Sequence, residues 1–321
     1  MSPALILTCA SSYFAFLLLI AWFTSRNATN ASYFLGNKAS PWFAVAFGLI
    51  GDSLSGVTFI SVPGQVGATK FSYLQIVLGY ALGYVVIAEV LLPLYYRLNL
   101  TSIYSYLRGR FGPWSQKSGS LFFLLSRTAG AAARLYLAAS VIQFFVFDRW
   151  TLFGGWTIPF WLSVTAIIVL ILVYTLKGGI KTLVWTDTFQ SSFLLLGVIL
   201  SIVAIAGELD FGLGDLVRAV RRSEHSQIFF WDWQDKKYFW KQFFSGAFIA
   251  IVMTGLDQNM MQKNLSCRSL KDAQKNIYWF TGVMLVVNLF FLSLGALLYH
   301  YAQTKGIAVP KNTDQLFPLL A

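Results

Sequence analysis

Eight apolar runs divide this 321-residue chain, at 4–23, 41–66, 71–96, 119–147, 157–176, 187–207, 239–260 and 276–302. Each is about the 20 residues that a helix needs to cross a bilayer. Inside lipid every backbone N–H and C=O must find a partner within the protein, and a helix does this with its own bonds. Charged residues make up 12% of the chain, against about 25% in soluble domains, and mean hydropathy is +0.63. The fold class that follows is all-α: a polytopic membrane helix bundle forming a single transmembrane domain over 1–321. A soluble enzyme and a nucleic-acid-binding module are both excluded. The first run lacks a basic leader and is long enough to span, so it counts as a helix and not as a cleaved signal.

The net charge of +11 is informative through its placement. Arg26 and Lys38 occupy the first linker, and Arg97, Arg108, Arg110 and Lys117 the linker at 97–118, both without acids. Lys177 and Lys181 mark 177–186, while Lys263, Arg268, Lys271 and Lys275 stand against Asp272 alone in 261–275. The positive-inside rule places these four linkers in the cytoplasm and the N-terminus outside. The stretch 208–238, with six acids and five bases, becomes an extracytoplasmic loop with a short amphipathic helix near Asp215–Arg222. The sequons at Asn27 and Asn30 fall in a cytoplasmic linker and are not expected to carry glycans. Cys9 and Cys267 supply no disulfide framework or metal set, and His225 and His300 are equally isolated.

One span reads wrongly for a plain membrane helix. Between Gly48 and Gly64 it carries Asp52, the hydroxyls of Ser53, Ser55, Thr58 and Ser61, and four glycines. Every residue of Gly51–Gly56 except Leu54 is glycine or polar. Broken helix is tolerated at membrane depth where it lines a cavity, and its freed carbonyls are how secondary transporters hold a cation. A hard cation such as sodium wants neutral oxygens of this kind. The bland alternative is a kink in which the hydroxyls bond back to their own helix. A second anomaly, Met253-Thr254-Gly255-Leu256-Asp257-Gln258-Asn259, is read either as another interrupted helix or as an ordinary helix end. Of the remaining intramembrane charges, Glu89, Arg127, Arg134 and Lys241, the two arginines lie seven apart on one helix face. Glu89, Arg127 and Arg134 are read as structural ion pairs, with Asp52 as an alternative partner for Arg134.

Four stretches carry a family resemblance. Ser55-Gly-Val-Thr58-Phe-Ile-Ser-Val-Pro63-Gly64 resembles the first core helix of the sodium/solute symporter family. Thr101–Gly112, Gly178–Gln190 and Asp257–Ala273 are similar, in order, to its cytoplasmic loop, its entry to core helix five and its linker after core helix six. The resemblance implies an extra N-terminal helix followed by a five-plus-five inverted repeat, whose second repeat is incomplete here because core helix eight would begin past Ala321. It implies a sodium-coupled symporter of a small solute, working by alternating access in the inner membrane, with sodium as coupling ion and no other cofactor. Residue by residue, sodium falls to the carbonyls of Gly51 and Leu54, with Asp52, Ser53 and Asp187 as further candidates. The solute falls to Ser55, Val57, Thr58, Met253 and Thr254. Departures are Met253 at the family's gating aromatic, Met284 at a sugar-carrier lysine, and Ser53 at the aspartate of proline carriers. A symporter-like sensory or scaffold module without transport of its own is the alternative.

Overall fold

The computed structural model describes residues 3–25, 40–54, 56–100, 102–149, 158–175 and 179–320. Ser55, the two sequons, Arg26, Lys38 and Lys177 lie outside these, as does the side chain of Val57. The described residues are helical apart from turns and short links. The helices are α1 (Pro3–Ser25), α2 (Trp42–Ser53), α3 (Gly56–Thr69), α4 (Tyr73–Val86), α5 (Leu92–Arg97), α6 (Ile103–Phe111), α7 (Pro113–Phe145), α8 (Phe160–Thr175) and α9 (Gly179–Glu208). They continue as α10 (Leu213–Arg222), α11 (Phe239–Ala250), α12 (Gln258–Leu265), α13 (Leu270–Thr304) and α14 (Leu316–Leu320).

Four stretches are long and apolar enough to cross a membrane, Pro3–Thr24, Tyr73–Arg97, Thr182–Glu208 and Leu270–Thr304. Two bent pairs join them among the described residues: α2 turns from α3 by 56°, and the helix Phe239–Gly255 turns from α12 by 67°. The expected runs at 119–147 and 157–176 fall on α7, a 33-residue helix, and on the shorter apolar α8. The helix expected near Asp215–Arg222 is α10, where Asp215 accepts from the Gly212 amide at 3.1 Å and from Arg218 at 2.6 Å.

The chain forms two compact units, one of residues 1–40 and 100–186, the other of 41–99 and 187–321. In the first, α7 packs on α6 and α8, and α8 on α1. Gln143 ties the turn between α7 and α8: its amide donates to the Ile158 carbonyl at 2.8 Å, and its carbonyl accepts from Ser163 at 2.7 Å. Much of α7 is exposed, with large apolar side chains such as Phe122 and Phe144 among the exposed ones.

In the second unit α4 and α11 touch along a seam of small residues. A Cβ on Gly79 would lie 1.9 Å from the Phe243 carbonyl oxygen, and one on Gly246 2.1 Å from that of Ile76. Gly83 meets the Ala247 carbonyl in the same way, at 2.5 Å. Lipid supplies no hydrophobic drive between helices, so close van der Waals approach is what holds such a pair.

The α4 helix is also fastened to the loop before α11. Gln75 is fully buried. Its amide donates to the Lys237 carbonyl at 2.9 Å, and its carbonyl accepts from the Phe230 amide at 3.3 Å. Gln75→Leu strands both backbone groups, a loss of about 1–3 kcal/mol for each left unpaired. The expected result is faster proteolytic cleavage within 226–238, read by limited proteolysis against the parent chain, with helical content unchanged.

Candidate ion and solute site

Both anomalous stretches are genuine interruptions of helix. In the first, Leu54 donates to Ile50 at 2.7 Å as if the helix continued, but its own backbone is extended (φ −105°, ψ 106°), and α2 stops there. A helix end leaves its last carbonyls without intrahelical donors. In the second, α11 widens into a π-turn at Ile251–Gly255, where Leu256 donates five residues back to Ile251. Asp257 then adopts extended backbone and caps α12, its carboxylate accepting from the Met260 amide at 2.9 Å. That stretch is both an interrupted helix and a capped helix start.

A third irregularity lies opposite. The π-turn Ile87–Leu91 joins α4 to α5, with Leu92 donating to Ile87. The Ala88 carbonyl loses its usual donor and takes one from Gln274 on α13 instead, at 3.0 Å. Just before this turn, Tyr84 is buried. The Tyr84 ring stands edge-on to Phe280 of α13, with centroids 4.9 Å apart.

The charges at the site meet on a residue assigned from sequence to a cytoplasmic linker. Lys263, on α12, is 1% exposed and donates to Asp52 at 2.6 Å and to Asp187 as well. The two aspartates come from the end of α2 and from α9, so three chain segments converge on one ammonium. Their approach depends on Gly51, where a Cβ would lie 2.6 Å from Ser191 Oγ and 3.2 Å from the Asp187 carbonyl. Hydroxyls on α9 complete the junction: Thr188 donates to the Ala44 carbonyl at 3.0 Å and Ser191 to that of Phe47 at 2.8 Å. Behind Lys263, Asn276 donates to the side chain of the fully buried Asn264 at 2.5 Å. The burial of Lys263 also takes one cation out of the basic linker, leaving Arg268, Lys271 and Lys275 there.

The other candidates fall as follows. Gly51, Asp52 and Ser53 lie in the last turn of α2, and Leu54 is buried at its end. Thr254 is buried, whereas Met253, its neighbour, is 46% exposed on the opposite side of the turn. Thr58 sits half-buried in the first turn of α3. Glu89 accepts from the Tyr278 hydroxyl at 2.6 Å. Arg127 lies over the Phe123 ring, and Arg134 and Lys241 are exposed.

Cys267, in the link between α12 and α13, is fully buried, and burial, with Asp272 nearby, pushes its thiol from 9.0 up to about 12. Between those values the unfolded chain releases a proton that the folded chain keeps, so stability falls as pH rises through this window. The Cys267→Ala variant is expected to lose that part of the decline, seen as a smaller drop in melting temperature between pH 9 and 11.

The pattern defining the sodium:solute symporter family matches residues 33–321. The chain belongs to that family. Among the family's proteins, the sodium/sialic acid symporter SiaT of Proteus mirabilis (strain HI4320) is 25% identical over 96% of this chain and 61% of its own length. The sodium-coupled monocarboxylate transporter 1 of Xenopus laevis is 26% identical, over 91% of this chain and 46% of its own. The sodium-dependent multivitamin transporter of Oryctolagus cuniculus is 27% identical, over 88% and 42%. The chain thus spans about half of the curated relatives it matches. The structure of a Na+-coupled sialic acid symporter in a substrate-bound outward-open state superposes with a TM-score of 0.81, at 24% identity, over 96% of this chain and 63% of that one. The expectation of a helical symporter fold is met.

One residue of the site escaped the sequence reading. Lys263 was hidden by its linker: three further bases follow it within twelve residues, and nothing local separates a buried lysine from a solvated one.

Proposed function

We propose that this chain carries the ion-binding part of a sodium-coupled symporter that moves a small solute across the inner membrane by alternating access, with its N-terminus outside. The observation that carries the reading is the junction of the α2 break with Asp52, Asp187 and Lys263. Two carboxylates and one ammonium, counted as ionised, sum to one negative charge in a largely buried place. Such a charge is costly near the centre of a bilayer unless it is neutralised. A monovalent cation held by the end of α2 neutralises it, and the two interrupted helices supply neutral oxygens of the kind sodium prefers. Sodium would couple to solute because each favours the same arrangement of the helices around the breaks, a reciprocal linkage. The sodium candidates are Gly51, Asp52, Ser53, Leu54 and Asp187, and the solute candidates Ser55, Val57, Thr58, Met253 and Thr254. Membership of a transporter family supports carriage without covalent chemistry.

The experiment is uptake by proteoliposomes holding the full-length gene product. N-acetylneuraminate, lactate and biotin are offered under an inward sodium gradient and then under an equal potassium gradient. Uptake of one of them driven by sodium and not by potassium is expected. Equal uptake under both cations overturns the proposal.

A further inference from the structure

The long helix α13 contains a buried asparagine that none of the candidates above includes. Asn288 is 0% exposed. Its amide nitrogen donates to the Met284 carbonyl one turn back, at 2.8 Å, and this bond fixes the orientation of the group. The Asn288 Oδ1 atom is thereby turned away from its own helix, and it has no hydrogen-bond partner. Buried polar atoms are nearly always paired, so an orphan of this kind calls for an explanation, and a bound water or ion is a standard one.

Its position supplies that explanation. Residues 288, 291, 295 and 299 are spaced by three, four and four, and share one face of α13. The last three all meet α3. The Phe291 ring packs on Phe59 with centroids 5.7 Å apart. A Cβ on Gly295 would lie 2.6 Å from the Pro63 carbonyl oxygen, and Tyr299 donates to the Gly64 carbonyl at 2.6 Å. Following α13 toward 288 follows α3 toward its first residue, Gly56. One turn before the Phe291–Phe59 contact is the interruption between α2 and α3. Asn288, with its unpaired oxygen, therefore lies about level with the start of α3, where α2 has just ended. Met284, Val287, Phe291 and Leu292, all buried, surround its position on the helix.

We infer that the side-chain carbonyl of Asn288 is a ligand of a monovalent cation bound at the α2–α3 interruption. A buried carbonyl oxygen that receives no hydrogen bond is the kind of ligand that a small hard cation takes. This deepens the sodium-symport reading and rests on it, by adding a ligand from α13 to those assigned on α2.

The test is a sodium titration of the purified full chain in lipid nanodiscs, at constant ionic strength with choline as the replacement cation and no solute added. The melting temperature is read at each sodium concentration. In the parent chain sodium raises it saturably. Asn288→Leu, similar in volume but without the oxygen, is expected to raise the half-saturating sodium concentration at least tenfold. Asn288→Asp keeps the oxygen and adds a charge, and is expected to lower it. A merely structural role would shift the melting temperature in choline and leave the half-saturation point alone. Half-saturation within twofold of the parent in both variants overturns the inference while sparing the sodium reading. A folded parent chain that does not respond to sodium overturns both.

Discussion

Replacing Lys263 by Met is expected to abolish sodium-dependent uptake and to lower the stability of the chain by about 3–5 kcal/mol, the usual cost of removing one partner from a buried ion pair. The ammonium is 1% exposed and Asp52 and Asp187 are 19% and 18% exposed, so the solvent that screens a surface pair is largely missing. Without the ammonium the two carboxylates face each other across the space it occupied, and like charges at that range repel. The α2 end and α9 are the elements they would push apart. Lys263→Arg keeps the charge, and its planar fork can serve two carboxylates at once, so it should retain most of the stability. Adding Asp52→Asn to Lys263→Met removes one of the two opposed charges, and is expected to recover more than half of the lost stability without recovering uptake. Thermal unfolding in detergent separates the three variants. Equal melting temperatures for parent and Lys263→Met would show that the triad contributes nothing to the fold.

The second large effect concerns the α4–α11 seam. Gly246→Val places its first carbon about where Gly246 would already meet the Ile76 carbonyl oxygen at 2.1 Å, and backbone cannot move aside as a side-chain tip can. Overpacking in a core costs about 1–3 kcal/mol and more where nothing yields. Here the helices themselves must separate, and α11 leads directly into the interruption at Ile251–Gly255. The expected result is no monodisperse protein on size-exclusion chromatography at a yield within tenfold of the parent. Gly282→Ala and Gly207→Ala are the controls, since a Cβ on either glycine meets nothing within 4 Å. Both should behave as the parent does, which separates the loss of a glycine from the loss of this contact.

How far the sequence reaches can be judged at particular residues. The two interruptions were legible because glycine, hydroxyl and carboxylate residues inside apolar runs contradict the bilayer locally, and local contradiction is visible without a fold. Leu54 and Asp257, the extended residues at the two breaks, lie inside the stretches named. Asp187 was singled out only through family resemblance, and its partner was not singled out at all. A pairing between residues 52, 187 and 263 is a property of the packing, because each position is unremarkable except when the other two are beside it. The same holds for Gln75 and Gln274, which fill backbone groups that only an irregular turn or an ordered loop leaves open. Asn288 shows the converse: an asparagine in a long apolar helix is easily noticed, but its meaning depends on which of its two polar ends is already occupied.

Equilibrium binding of radioactive sodium to the purified chain tests the central claim most directly, because it needs no knowledge of the solute. Saturable binding that excess unlabelled sodium displaces and excess potassium does not is the predicted result, weakened at least tenfold by Asp52→Asn combined with Asp187→Asn. Binding that is absent from folded protein, or that potassium displaces as well as sodium does, would contradict the account.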